Sequence, residues 1–179
     1  MIDIRMASAA DAAEIRDIYA PFVTDTAITF EYDVPTVEEF EKRITGTLKL
    51  FPYLVAEVDG RVVGYAYASR FKARAAYDWA VETTVYVRRE FDGRGIGKAL
   101  YARLEELLAR QNVTNVNACI TFPNPESIAF HKHLGYKDAA HFTKCGYKMG
   151  KWWDMVWLEK FIGEHNNPPK PFVPITELM

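Results

Sequence analysis

Several things are scarce in this chain, and each scarcity removes a class of protein. Cysteine occurs twice in 179 residues, at Cys119 and Cys145, which is neither a disulfide framework nor a zinc-ligand spacing and fits a reducing compartment. No apolar run approaches the roughly 18 residues that would span a bilayer. Charge of one sign is not in excess: 22 Lys and Arg stand against 24 Asp and Glu, and the isoelectric point is near 6.1. A general nucleic-acid binder would be basic, so neither nucleic acid nor membrane is expected as a partner. The start, Met1-Ile2-Asp3-Ile4-Arg5, lacks the basic-then-apolar layout of a signal peptide, and a cytoplasmic location is expected. No internal repeat or low-complexity segment is present. What remains is one globular domain, 49% hydrophobic, long enough to bury its own core.

The patterning predicts the elements in the order βααβββαβαββ. Residues 2–6 alternate apolar and polar with period two, as a half-buried strand does. Ser8, three residues before Asp11, is positioned to cap a helix carrying Ile15, Ile18 and Tyr19, which Pro21 should end or bend. Thr36-Val37-Glu38-Glu39 is a capping box opening a helix with Phe40, Ile44 and Leu48 on one face. Two strand-like runs around Asp59-Gly60 predict a hairpin. A strand is expected over 79–88, with its odd positions packed and Glu82, Thr84 and Tyr86 on a face free for chemistry. Ile96, Leu100, Leu104, Leu107 and Leu108 form the buried stripe of a strong helix. A strand over 115–121, a helix over 126–134 stopped by Gly135, and two late strands follow. Pro168, Pro169, Pro171 and Pro174 make residues 164–179 an extended arm. The fold class is α+β, with one mixed, mainly antiparallel central sheet flanked by helices.

Four groups of residues suggest chemistry. Phe91-Asp92-Gly93-Arg94-Gly95-Ile96-Gly97-Lys98 follows a strand and opens a helix, where free backbone N–H groups and the helix dipole would favour an anion, with Arg94 and Lys98 as counter-charge. It is not a P-loop, because Ala99 follows Gly97-Lys98, and its glycine spacing is not that of a dinucleotide fingerprint. A ligand-free turn is the alternative. Glu82 is a carboxylate in an otherwise apolar strand, either a base raised in pKa by burial or a structural ion-pair partner. His131 could relay a proton near neutral pH or simply pack. His131 and His133 are two apart and point to different faces of a helix, so no metal site is expected. Arg70, Lys72 and Arg74 would share one side of an extended segment and attract an anionic substrate group. Phe30, Tyr32, Tyr77 and Trp79 could wall a pocket, and Trp152, Trp153 and Trp157 could pack the core or an interface.

Thr83-Thr84-Val85-Tyr86-Val87, the glycine loop, and the run from Asn124 through Pro125, His131 and Leu134 to Tyr136 together resemble the GNAT acyltransferases. Tyr53-Leu54-Val55-Ala56-Glu57, Lys72-Ala73-Arg74-Ala75-Ala76-Tyr77-Asp78-Trp79 and Glu82-Thr83-Thr84-Val85-Tyr86-Val87 resemble its phosphinothricin and methionine sulfoximine N-acetyltransferase branch, in family order and over nearly the whole chain. Asp92 departs from the Gln or Arg with which the superfamily loop usually begins. The resemblance implies a GNAT domain over 1–163 and transfer of acetyl from acetyl-CoA, without metal, to the α-amine of small amino-acid analogues. It implies that Val85, Tyr86 and Val87 hold the pantetheine arm through their backbone, that Gly93, Arg94, Gly95, Ile96, Gly97 and Lys98 hold the pyrophosphate, and that Asn124 and His133 lie near the cofactor. Glu82 would be the base and His131 the acid or a second base. Lys72, Ala73, Arg74, Glu82, Thr83 and Thr84 would contact substrate, with Tyr77 and Phe30 beside it, and a homodimer is implied. A protein N-terminus or a polyamine as acceptor, and a non-catalytic acyl-CoA sensor, remain alternatives.

Overall fold

The computed structural model describes residues 2–179, and its elements follow the expected order βααβββαβαββ. The strands are β1 (Asp3–Met6), β2 (Tyr53–Val58), β3 (Arg61–Arg70), β4 (Ala80–Val87), β5 (Asn115–Phe122), β6 (Lys137–Lys148) and β7 (Lys151–Phe161). The helices are α1 (Ala12–Asp25), α2 (Val37–Thr47), α3 (Ile96–Arg110) and α4 (Pro125–His133). All strands join one sheet in the order β1-β2-β3-β4-β5-β7-β6, and every neighbouring pair is antiparallel except β4 and β5.

Local signals explain most of the element ends. Thr36 Oγ1 accepts from the Glu39 N–H at 3.2 Å while the Glu39 carboxylate accepts from the Thr36 N–H at 2.7 Å, closing the capping box of α2. Asp59 and Gly60 take positive φ, as the tight turn between β2 and β3 needs. Ser8 and Asp11 form their capping contacts around a single 3-10 turn, and α1 begins only at Ala12. Pro21 does not end α1, which runs on to Asp25.

Helices cover both faces of the sheet, giving two cores. Leu100, Leu104 and Leu108 of α3 pack on Ala66, Val81, Val116 and Ala118, while Ile15 and Ile18 of α1 and Phe40 and Ile44 of α2 pack on Tyr53, Val55 and Tyr65. The even-numbered face of β4 is therefore only partly free. Tyr86 sits edge-on to Tyr19, with ring centroids 5.1 Å apart, and packs against the second core while lining a cavity beside Glu82 and Thr84.

The proline-rich arm folds back onto the domain. Phe172 packs on Phe51, Ile175 is buried, the Trp79 indole donates to the Lys170 carbonyl, and the Gln111 amide donates to the carbonyls of Leu50 and Val173. Trp79 thus holds the arm and does not line the cavity described below, nor do Tyr77 and Tyr32. Trp157 packs edge-on against Phe71, and Trp152 is exposed.

Candidate active site

The site begins with an interrupted pairing. β4 and β5 run parallel and pair at Ala80–Asn115, Val81–Val116 and Glu82–Asn117, and then diverge. Residues 83–87 keep β3 on one side, but β5 no longer pairs with them on the other. The opening leads into a cavity of about 480 Å³, walled by β4, by Ala118 to Thr121 of β5, by the first turns of α4, by α2, and by residues 28–31 between α1 and α2. Thr84, Val85, Asn124 and Phe30 line it beside Glu82 and His131.

Just beyond β4 the chain enters the glycine loop. Gly93 and Gly95 adopt φ of +73° and +79°, where a side chain would be strained, and Gly95 caps α3. The N–H groups of Gly93, Gly95, Ile96, Gly97 and Lys98 have no protein acceptor among the described residues. Five unpaired donors at a helix N-terminus suit a pyrophosphate, and an open strand edge suits an amide-bearing arm. A Cβ at Gly97 would press on the Phe130 ring of α4 at 3.3 Å, so this glycine lets α3 approach α4. Arg94 lies over the Phe91 ring, and Asp92 is exposed. Partial burial and the nearby Glu126 raise the Asp92 carboxyl above its ordinary range, and Arg89 partly offsets the rise.

Glu82 reaches the cavity with no hydrogen-bond partner among the described residues. Burial raises its pKa, and the Lys72 ammonium partly offsets the rise. His131, 4% exposed, is held at both ring nitrogens. Nδ1 lies 2.8 Å from the Ser127 carbonyl, which can only accept, so Nδ1 carries the proton. Nε2 is then free to accept from the Tyr101 hydroxyl at 2.9 Å. Tyr101 Oη is 3.2 Å from Thr83 Oγ1, which in turn donates to the Asn117 carbonyl at 3.2 Å. The chain from Ser127 O to Asn117 O has four contacts and, with neutral His131, three hydrogens. A proton on His131 would fill the fourth, with the Tyr101 hydroxyl turning from His131 to Thr83. Burial opposes that charge and lowers the His131 pKa.

Three lining groups carry no sequence signal. Tyr101 follows Leu100 on the α3 stripe and reads as core. Arg43 of α2 pairs with Glu31 through both carboxylate oxygens at the cavity wall, although the two are 12 residues apart. Cys119 lies against Met155, and burial beside Glu82 pushes its thiol up to about 12, which removes it as a thiolate nucleophile at neutral pH.

Lys72, Ala73, Arg74 and Tyr77 lie outside the cavity lining, and all four are exposed. The expected extended row of Arg70, Lys72 and Arg74 does not form. The backbone bends over 71–74 and makes a 3-10 turn at Ala75–Tyr77, and Arg70 turns to Asp78. Lys72 alone of the three acts on Glu82. On α4, His133 is exposed on a different side from buried His131.

The geometry agrees with the comparisons. Residues 4–157 match the acetyltransferase (GNAT) domain family. The chain is 38% identical to the phosphinothricin N-acetyltransferase of Streptomyces viridochromogenes over 178 residues, 99% of this chain and 96% of that one. It is 32% identical to the L-methionine sulfoximine/L-methionine sulfone acetyltransferase of Salmonella typhimurium, covering 92% and 97%. A GNAT superfamily phosphinothricin acetyltransferase from Sinorhizobium meliloti, solved in complex with acetyl-CoA, superposes with a TM-score of 0.86 at 35% identity, covering 95% of this chain and 92% of that one. A split sheet, a glycine turn with free N–H groups and a half-buried carboxylate beside the split, in a chain matched along almost its full length, have one family reading: this protein belongs to the GNAT acetyltransferases.

Proposed function

We propose that the protein transfers the acetyl group of acetyl-CoA to the α-amine of small amino-acid analogues, with phosphinothricin, methionine sulfoximine and methionine sulfone as the favoured acceptors. The observation that carries the chemistry is Glu82, a partly buried carboxylate with no hydrogen-bond partner among the described residues, at the point where β4 and β5 separate. An ammonium cannot attack a thioester, so one proton must leave the acceptor first. Glu82 takes it through water. The free amine then attacks the thioester carbon, a backbone N–H on the open edge of β4 stabilises the oxyanion, and the C–S bond breaks. The second amine proton goes to the departing thiolate by way of His131 or water, leaving the amide, CoA thiol and the proton on Glu82, which returns to solvent.

Val85, Tyr86 and Val87 hold the pantetheine arm through backbone bonds, the loop of Gly93, Arg94, Gly95, Ile96, Gly97 and Lys98 holds the pyrophosphate, and Asn124 faces the thiol end. His133, exposed on α4, would meet the cofactor from outside the cavity. Phe30, Thr83 and Thr84 bound the acceptor, and Lys72, Ala73, Arg74 and Tyr77 contact it at the mouth. The protein acts in the cytoplasm, and as a homodimer, the association being supported by the exposed Phe142, Tyr147, Met149 and Trp152 on β6, β7 and the turn between them. A host carrying it would tolerate phosphinothricin as a herbicide.

The test is release of CoA thiol from acetyl-CoA with a panel of methionine sulfoximine, methionine sulfone, phosphinothricin, spermidine and an N-terminal peptide. Saturable turnover confined to the first three is expected. Turnover with the peptide or spermidine would overturn the acceptor class, and tight acetyl-CoA binding without any turnover would make the protein a sensor.

A further inference from the structure

One wall of the acceptor side is tied to the cavity's own lining, by Thr121 Oγ1 to the Ile28 carbonyl, Tyr19 Oη to Thr29 Oγ1 and Arg43 to Glu31, and also to a part of the molecule outside the cavity. Ile28, Thr29, Phe30 and Glu31 line the cavity, yet they lie in a connection without regular structure, a poor base for a specific site. Three consecutive residues at the end of β6 grip this connection. Lys148 is 4% exposed, and its ammonium donates to the carbonyls of Thr29 and of Val23, in the last turns of α1, each at 2.8 Å. Tyr147 offers its carbonyl to the Tyr32 hydroxyl. Gly146 lies directly under Phe30: a Cβ built there would sit 2.5 Å from Cζ and 2.7 Å from Cδ2 of the ring. The pairing of β6 with β7 shifts register between Phe142 and Gly146, which brings this stretch to the loop.

A buried lysine without a bonded carboxylate is costly, and burial lowers the pKa of Lys148. The nearby Glu31 carboxylate, which favours its charge, is bonded to Arg43. Two backbone carbonyls on two separate segments are therefore what the ammonium binds.

We propose that Lys148 and Gly146 are positioning residues that clamp residues 29–32 against β6 and so set the acceptor wall, governing acceptor affinity and selection while leaving acetyl-CoA binding alone. The proposal rests on the cavity being the acceptor site. Lys148 acts by fixing Thr29 and the end of α1, and Gly146 by leaving room for the Phe30 ring to lie flat.

Gly146→Ala and Lys148→Met test it, read as separate KM values for acceptor and acetyl-CoA together with amide hydrogen exchange at 28–32. Each variant should raise the acceptor KM by about tenfold, as a misplaced wall does, with the acetyl-CoA KM within about twofold of the parent. Exchange at 28–32 should quicken in Lys148→Met while β1 and β2 keep their protection. In a Phe30→Ala background, Gly146→Ala should add no further loss, because the clash is gone. Unchanged acceptor KM with unchanged exchange would overturn the clamp. So would equal rises in both KM values, or a fall in Tm accompanied by faster exchange throughout, which would make Lys148 a purely structural residue. If Lys148→Met does not fold, Gly146→Ala and the Phe30 cycle decide. If the parent turns over no acceptor in the panel, the acceptor reading fails by itself, and exchange at 28–32 still decides the clamp.

Discussion

Glu82 on β4 and His131 on α4 face the same cavity, and burial disfavours the charged form of each, raising one pKa and lowering the other. Their neighbourhoods are opposite in kind. The Glu82 carboxylate is bonded to no protein group among the described residues and feels only the Lys72 charge. His131 is bonded at both nitrogens, to Ser127 and Tyr101, and through Tyr101 to Thr83 and Asn117. A group left open can exchange a proton with an incoming molecule. A group built into a chain that is one hydrogen short can take up a proton at little cost in rearrangement, because one hydroxyl turn fills the missing contact. The same pair of residue types would look interchangeable in a list of candidate acids and bases; the hydrogen-bond geometry sets the open carboxylate apart from the bonded imidazole.

The contrast can be broken most severely at Glu82. Glu82→Gln should lower kcat by about 100- to 10,000-fold, the range for a lost general base, while acetyl-CoA still binds. The acid limb of the pH profile should vanish with it. In the parent that limb should lie above the range of an exposed glutamate, with kcat/KM rising with pH as Glu82 loses its proton. Unchanged turnover in the variant would remove Glu82 from the mechanism.

A smaller effect is expected from the chain around His131. Tyr101→Phe deletes one hydrogen bond, worth about 1–1.5 kcal/mol, so kcat should fall about tenfold. The acid limb should stay in place, since Glu82 is untouched, and Thr83→Ser should keep near-parental rates where Thr83→Val does not. A Tyr101→Phe enzyme with parental kcat would show that His131 works without the chain. The smallest effect belongs to Lys72. Lys72→Met removes the charge that holds Glu82 down, so the acid limb should move to higher pH, with kcat/KM at its acidic end falling by less than about fivefold. A limb moving to lower pH would reverse the assigned sign.

Much of the fold was legible because its signals are local. The Thr36 capping box, the Asp59-Gly60 turn, the α3 leucine stripe and the Gly93-Gly95 turn each depend on residues a few positions apart, and each is found where expected. Of the two outcomes expected at Pro21, an end to the helix is not met, since α1 carries the proline within its run to Asp25. The cation row at 70–74 was misleading because an assumed extended backbone bends, and Arg70 finds Asp78.

The candidate site was legible only in part. Glu82 stands out as a charge in an apolar strand, and the glycine loop as a break before a helix. Tyr101, Arg43 and Lys148 do not stand out, since a tyrosine on a buried stripe, an arginine on an amphipathic helix and a lysine in a strand are all ordinary.

By itself, then, the sequence determined the order and type of the elements, the glycine turn that opens α3 and the identity of one exceptional carboxylate, because hydrophobic period, capping and turn chemistry act over a few residues. Only the tertiary structure decided where β4 and β5 part, which cations reach the cavity and which turn away, how Tyr101 joins His131 to Thr83, and how β6 grips the loop at 29–32. Those contacts span tens of residues or more, and their partners are chosen by packing, which no local pattern records.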